Sequence, residues 1–368
     1  MRRLFLLLFV FTSGVVFAAD NPAAAPVKKP VIKIGVILPL SGNSDHLGQP
    51  LRELIQYKVA HFPKDSRFEY KLLFEDDQLE QRQSLLAAQR LVGWDHVDVL
   101  MTFFSGPGVV LAPYATQRKV PHLMWSFNLK GPDGVFNFDH VTPMNQAAET
   151  WTKHAEELGY KKIALLVMRN AGGEAVLKAM EDYKQKSKLE WTSVTRYNPD
   201  ERDFRMILAK IRETNPELLY IYGVDPAIEI ILRQKREIGW KEIPISAIGC
   251  FDLVYGNPLA DGCWYVSSDM PTLEHMQWYR QTFKHDYVPC GAGVYDDYME
   301  LLYRACENYK GQGKPTGEDI AAYLRNVKDF DGACGKISCN AKGVFETKPT
   351  LLMIKNGTVT PISQPSQP

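Results

Sequence analysis

The feature that most constrains the fold of this chain is a repeated alternation of short β-branched runs with helical stretches. The first run, Val31–Leu38, reads VIKIGVIL and stops at a proline. A loop at 41–48 and a helical stretch at 50–61 follow it, and the next helical stretch, 79–92, carries leucine, alanine and valine along one side. Strands that alternate with amphipathic helices at this spacing predict a parallel sheet covered by helices on both faces.

The alternation runs through the chain twice. After the fourth strand of the first half, at 121–125, the pattern starts again with a helix at 147–158 and a strand at 162–167. Three helical stretches and a short hairpin-like pair, at 343–346 and 350–354, close the sequence. We therefore predict an α/β protein built from two doubly wound parallel sheets, each forming its own lobe.

The amino-terminal residues indicate export. Arg2 and Arg3 precede an apolar run at 4–10, and small residues end the segment at 18–19. A basic start, a short apolar core and small residues at the end are typical of a secretory signal peptide. We predict a signal peptide at 1–19, a flexible leader at 20–30, a disordered tail at 361–368 and a location in the periplasm.

Charge and motif content exclude several classes of function. The 43 basic and 43 acidic residues balance, so we expect neither nucleic acid nor an anionic membrane as a partner. The sequence contains no glycine-rich dinucleotide motif after a strand, no phosphate-binding loop, no HExxH and no GxSxG elbow. The eight histidines are scattered without metal-ligand spacing. We expect a protein that is not an enzyme and has no cofactor and no metal.

All six cysteines lie in the second half of the chain, and export would permit disulfides. Cys334 and Cys339 enclose a glycine-containing loop, so a bridge between them is our first expectation. A bridge between Cys250 and Cys263 is the second. Buried free thiols are the alternative, above all for Cys306, which lies within a helical pattern.

The candidate ligand-binding residues of the first lobe follow its third and fourth strands. Open parallel sheets bind ligands at the carboxyl ends of their strands, where helix N-termini offer unpaired amides. Ser105 and Gly106 begin a helix there, so Ser105 either binds a carboxylate or serves as an ordinary N-cap. Trp125 and Phe127 alternate with Ser126, which predicts two rings on one side and a hydroxyl on the other. The rings either form a pocket wall or belong to the core.

The candidates of the second lobe lie in three further strand-end loops. Asn170 follows one strand, Asp225 another, and Cys250 and Asp252 a third. Either aspartate could pair with a cationic group of a ligand. Asp225 precedes a proline at the expected start of a helix, so a capping role is its alternative.

Several motifs resemble those of the periplasmic leucine/isoleucine/valine-binding family. They are IGVILPLSG at 34–42, EDD at 75–77, Ser105-Gly106 and the VP pair at 120–121, followed by matching segments at 203–204 and 219–222. The resemblance implies the type I periplasmic-binding-protein fold, with two lobes joined by a three-crossing hinge. It implies crossings near 141–143, 267–270 and 335–340. Lobe 1 is then 31–142 plus 270–335, and lobe 2 is 143–269 plus 336–360.

The resemblance also implies a function. Such a receptor closes like a Venus flytrap around a small amino acid or a related organic acid and presents it to an ABC permease in the inner membrane. The ligand carboxylate would be held by Ser105, Gly106 and Ser126, and the receptor would be a monomer. Leu47 stands where the family has an aromatic residue, and no carboxylate occupies 249–250, where the family binds the ligand ammonium. A carboxylate without an amine, an amide or an aromatic acid would therefore fit, and a sensor that reports to a signalling partner without transport is the alternative function.

Overall fold

A computed structural model describes residues 29–128, 130–249, 251, 257–267, 271–285 and 287–362, so the predicted signal peptide lies outside the described residues. Within them are fifteen strands and ten α-helices. The strands are β1 (Val31–Leu38), β2 (Glu69–Asp76), β3 (Val99–Phe103), β4 (His122–Trp125), β5 (Asn137–Val141), β6 (Lys162–Met168), β7 (Glu190–Tyr197), β8 (Leu218–Tyr222), β9 (Ile245–Ile248), β10 (Trp264–Ser267), β11 (Phe330–Gly332), β12 (Gly335–Ile337), β13 (Val344–Glu346), β14 (Thr350–Lys355) and β15 (Thr358–Pro361). The helices are α1 (Asp45–Ala60), α2 (Gln81–Gly93), α3 (Ser105–Arg118), α4 (Met144–Glu157), α5 (Ala171–Lys184), α6 (Arg205–Glu213), α7 (Ala227–Glu237), α8 (Leu273–Phe283), α9 (Ala292–Glu307) and α10 (Gly317–Arg325).

The first lobe is built on a six-stranded sheet with the order β13-β5-β4-β3-β1-β2. All of its strand pairs are parallel. Every residue of β3, β4 and β5 is buried, whereas the edge strand β2 is half exposed. Strands covered on both faces must be apolar throughout or must satisfy their polar groups internally, which explains the unbroken apolar runs in the sequence.

The second lobe is built on a seven-stranded sheet with the order β15-β14-β10-β9-β8-β6-β7. The pairs from β10 to β7 are parallel, and β14 and β15 add an antiparallel edge. The predicted fold class, α/β with two doubly wound lobes, is confirmed. No helix in the described ranges is long and apolar enough to cross a membrane.

The chain passes between the two sheets three times, and the third passage differs from the expectation. It leaves the first sheet between β5 and α4, returns to the first lobe between β10 and α8, and crosses again between β13 and β14. β13 pairs in parallel with β5, with Val344 opposite Asp139. The two strands at 343–346 and 350–354 therefore belong to different sheets and form no hairpin.

The predicted boundary at 335–336 was wrong for the same reason. The side chains of Val344 and Phe345 are buried because β13 completes the edge of the first sheet, so 336–346 belongs to lobe 1 and the third passage is at 347–349. At the carboxyl end, β15 extends to Pro361, so the segment predicted as disordered starts with the end of a strand. Residues 363–368 lie outside the described part of the chain.

Neither predicted disulfide is formed, because Cys339 and Cys263 are buried thiols. Cys334 lies at the turn of the β11–β12 hairpin, whereas Cys339 lies beyond the far end of β12. The strand β12 lies between them, and because an extended chain rises about 3.3 Å per residue, this strand carries the two cysteines apart. A disulfide needs Cα atoms about 4.4–6.8 Å apart. Cys250, the predicted partner of Cys263, lies outside the described residues.

Trp151 is the largest anchor of the second lobe. It is fully buried on α4, stacks on Trp264 with ring centroids 5.7 Å apart, and meets Tyr220 edge to face at 5.3 Å. Its indole N–H donates to the hydroxyl of Ser246 at 3.0 Å. One side chain thus joins the helix to three strands of the second sheet, β8, β9 and β10.

Candidate ligand-binding site

The loops at the carboxyl ends of the two sheets meet each other. The ring of Phe127, after β4, lies 6.2 Å from the ring of Tyr222 at the end of β8. The side-chain amide of Asn128 donates to the carbonyl of Ala171 at 3.4 Å. A Cβ atom placed on Gly172 would lie 3.4 Å from the Oγ of Ser105. The lobes are therefore in direct contact at the edge where open parallel sheets bind ligands.

Ser105 is the first residue of α3 and lies buried at this contact. The N-cap position of α3 is Phe104, whose side chain makes no capping hydrogen bond, so the alternative role of Ser105 as an N-cap is not what the structure shows. Its Oγ accepts a hydrogen bond from the backbone N–H of Phe127 at 2.9 Å. A hydroxyl can accept and donate at the same time, so the proton of Ser105 stays available for an acceptor.

The residue before Ser105 has an unusual backbone. Phe104 has φ 71° and ψ 159°, a conformation that side-chain-bearing residues rarely adopt. Such a conformation costs on the order of 1–3 kcal/mol and persists where the surrounding structure enforces it, often at a ligand site. It turns the chain sharply from β3 into α3, so that the helix begins at the lobe boundary.

An aromatic cluster lines the same region. Trp125 stacks on Phe103 with centroids 5.0 Å apart and meets Phe104 and Phe127 edge to face at 5.3 and 5.2 Å. Both predicted rings, Trp125 and Phe127, are buried in the core, and Phe127 extends the cluster to Tyr222 of the other lobe. The indole N–H of Trp125 has no hydrogen-bond partner among the described residues.

Ser126 is held within its own turn. Its backbone N–H donates to Oδ1 of Asp139 at 3.0 Å, and its Oγ accepts from the backbone N–H of Asn128 at 2.9 Å. The predicted contact of Ser126 with a ligand stays a prediction. In the structure this residue shapes the loop that brings Phe127 to Ser105.

The other candidates occupy different places. Leu47 packs on the inward face of α1 in the core of the first lobe. Gly106 lies in the first turn of α3, with the side chain of Gln81 against it. Asn170 caps α5, since its Oδ1 accepts from the N–H of Gly173 at 2.7 Å. Cys250 and Asp252 lie outside the described residues.

Asp225 faces a histidine of the opposite lobe. Its Oδ2 lies 3.6 Å from Nε2 of His46, and its Oδ1 has no hydrogen-bond partner in the described part of the chain. Hydrogen bonding to Asp225 raises the pKa of His46, and Asp45 adds to the effect. The carboxylate expected to meet a ligand cation thus forms an ion pair across the lobe boundary.

This ion pair should make stability depend on pH. The pKa of His46 is higher in the folded than in the unfolded chain, so its contribution is complete below about pH 6.5 and is lost as pH rises through the folded-state pKa. A partly exposed pair contributes about 0.2–1 kcal/mol. We expect H46Q to lower the melting temperature by up to about 2 °C at pH 6 and not at pH 9. Scanning calorimetry checks this against H96N, a substitution of an exposed histidine; an equal loss at both pH values would contradict it.

Three residues of this site were missed by sequence reasoning. His46 lies in the first turn of α1, within the stretch 41–48 that was predicted as a loop, and its polar side chain near a strand end was the available signal. Tyr222 ends β8 at the lobe boundary, and the strand predicted there was given no binding role. Asp139 lies in β5, which the sequence pattern did not predict, and no local signal could have identified it.

A family model described as a periplasmic binding protein matches residues 31–357. The chain belongs to this family. A Leu/Ile/Val-binding protein of Citrobacter freundii is 24% identical over 199 residues, which is 51% of this chain. That alignment spans 52%, about half, of the relative's length.

Solved structures of solute-binding and leucine-binding proteins share the fold. A leucine-binding protein of Thermotoga maritima superposes with a TM-score of 0.79 at 23% identity, covering 90% of this chain and 98% of the other. A solute-binding protein of an ABC transporter from Rhodopseudomonas palustris, in complex with 3,4-dihydroxybenzoic acid, has a TM-score of 0.77 at 18% identity, covering 88% and 93%. At these identities the likeness concerns the fold.

Proposed function

We propose that this periplasmic binding protein is the receptor of an ABC importer and captures a small carboxylate-bearing solute between its lobes. The observation that carries the proposal is the uncapped first turn of α3, with Ser105, buried at the contact between the lobes. Free amides at a helix N-terminus carry partial positive charge and favour an anion. Export to the periplasm and delivery to a permease are part of this proposal.

The chemistry of the boundary suits a carboxylate attached to an apolar body. The Ser105 hydroxyl and the first amides of α3 supply donors, and the orphaned indole N–H of Trp125 is a further donor in the adjacent cluster. Charge-assisted hydrogen bonds of this kind are the stronger ones. The rings of Phe104, Trp125 and Phe127 supply an apolar wall. Closure of the lobes would exclude water from this wall and from the hydrogen-bond donors.

We infer an aromatic acid as the first candidate ligand. The aromatic cluster matches an aromatic body, and His46 already pairs with the carboxylate that would otherwise meet an ammonium. The fold relative that holds 3,4-dihydroxybenzoic acid supports this choice. A branched-chain amino acid is the second candidate, favoured by the Oδ1 of Asp225, which has no hydrogen-bond partner in the described residues, and by the curated relative.

A thermal-shift titration with 3,4-dihydroxybenzoate and with leucine tests the proposal. A ligand at 100 times its Kd stabilises the folded protein by about 2.7 kcal/mol. S105A should weaken the ligand that binds by about 1–3 kcal/mol, because a buried charged group loses a hydrogen bond. S193A is the control, since the buried hydroxyl of Ser193 on β7 has no hydrogen-bond partner among the described residues and lies away from the lobe boundary. Equal affinity of S105A and the wild type would remove Ser105 from the site.

A further inference from the structure

Asp139 is a carboxyl group buried in the middle of the first sheet. It lies in β5, is fully inaccessible to solvent, and is paired in register with Met124 of β4. Its Oδ1 accepts two backbone hydrogen bonds, from Ser126 at 3.0 Å and from His140 at 2.8 Å. Its Oδ2 has no hydrogen-bond partner among the described residues.

The groups packed around Asp139 are neutral or engaged elsewhere. On α9, the hydroxyl of Tyr298 donates to the carbonyl of Met124 at 2.6 Å, and that of Tyr295 to the carbonyl of Thr102 at 2.7 Å. The imidazole of His140 points to Asp297, with Nε2 and Oδ2 2.8 Å apart. Burial therefore raises the pKa of Asp139 well above its usual value. A neutral acid with an accepting Oδ1 fits this environment.

Two hydrogen bonds connect Asp139 to the candidate ligand-binding hydroxyl. The first fixes the N–H of Ser126, and the second runs from the N–H of the next residue, Phe127, to the Oγ of Ser105 at 2.9 Å. The Oγ of Ser126 closes the turn by accepting from Asn128. The position of the turn, which Asp139 fixes, therefore determines how the Phe127 amide is oriented. That amide in turn determines which hydrogen bond the Oγ of Ser105 accepts.

We propose that Asp139 is a positioning residue for ligand binding. It holds the 126–128 turn so that the N–H of Phe127 donates to the Oγ of Ser105. The hydroxyl proton of Ser105 is then left to bond the ligand carboxylate. The proposal rests on the proposed function for its ligand, while the turn itself can be observed without one. Asp139 touches no ligand in this scheme and acts through Ser105.

Two variants at position 139 distinguish the role of the hydrogen-bond-accepting oxygen from that of the acid group as a whole. D139N keeps a carbonyl oxygen for both backbone N–H groups and should bind 3,4-dihydroxybenzoate or leucine, whichever stabilises the wild type, within about twofold of the wild type. D139L keeps a similar volume but removes the acceptor, and should bind at least about tenfold more weakly, because two buried N–H groups lose their partner. D139A serves in place of D139L if the leucine prevents folding.

A double-mutant cycle shows whether Asp139 acts through Ser105. If it does, D139L/S105A binds within about twofold of S105A alone, since the hydroxyl to be oriented is already absent. The proposal would be overturned if the losses of affinity from D139L and S105A multiplied in the double variant. It would also be overturned if D139L bound with wild-type affinity, or if D139N lost as much affinity as D139L.

Amide hydrogen exchange tests the turn independently of any ligand. The Phe127 amide should exchange faster in D139L than in the wild type and remain protected in D139N. If neither acid binds the wild type but this pattern holds, the proposed ligand class fails while the positioning of the turn stands. Equal protection of Phe127 in D139L and the wild type would refute the positioning role whatever the ligand.

Discussion

G172V is expected to abolish ligand-dependent stabilisation while both lobes stay folded. Gly172 is buried in the first turn of α5, and a Cβ there would overlap the hydroxyl of Tyr222 and lie 3.4 Å from the Oγ of Ser105. Two further methyl groups would drive Tyr222 towards the first lobe and hold the lobes apart. Without closure the ligand keeps contacts with one lobe only, so we expect affinity to fall more than about 100-fold, which corresponds to about 2.7 kcal/mol.

Calorimetric titration of the stabilising acid measures this effect, and G93A is the matched control. A Cβ on Gly93, at the end of α2, meets only the hydroxyl of Tyr114 at 3.9 Å. G93A should therefore bind as the wild type does. Small-angle scattering of G172V should show a more extended molecule than the wild type with ligand. Wild-type affinity in G172V would mean that the lobes do not need this contact in order to bind.

W151A is expected to have the largest effect on stability. Truncation of a fully buried tryptophan costs about 3–5 kcal/mol, because transfer energy is lost and a cavity remains. The change also removes the stacking on Trp264 and leaves the hydroxyl of Ser246 without its donor. These losses fall on the second lobe, whereas the first keeps all of its own core contacts.

Chemical denaturation followed by circular dichroism measures the loss. W94A is the control, since Trp94 is 85% exposed and should change the free energy of unfolding by less than about 0.5 kcal/mol. If W151A unfolds within 1 kcal/mol of the wild type, α4 is not fixed to the second sheet in the manner described.

The sequence predicted those strands and helices whose buried side chains are apolar. Aliphatic and aromatic residues dominate β1, β3, β6 and β8, and the pattern identified these strands with their helices. β5 was missed because its residues are Asn-Phe-Asp-His-Val. Its polar side chains are buried through pairings with distant residues, such as His140 with Asp297, which no local pattern carries. The third passage was misplaced because β13 has only three residues and pairs with that missed strand.

For the site, the sequence predicted which loops carry the residues, but it did not predict their hydrogen-bond and ion-pair partners. Parallel topology brings strand-end loops together, so Ser105, Phe127, Asn170 and Asp225 could be assigned to loops facing the other lobe. Which atom pairs with which depends on tertiary geometry. Asp225 pairs with His46 and Ser126 with Asp139, which lie 179 and 13 positions apart in elements whose relative placement the sequence does not encode locally.

The late strand β13 also bears on how the protein matures. One edge of the first sheet is supplied by residues 344–346 and one edge of the second by residues 350–361, so a growing polypeptide can complete neither sheet until these residues have been made. Each lobe therefore lacks an edge strand of its sheet until the segment 344–361 is available, so compaction of both lobes depends on the same short stretch of chain.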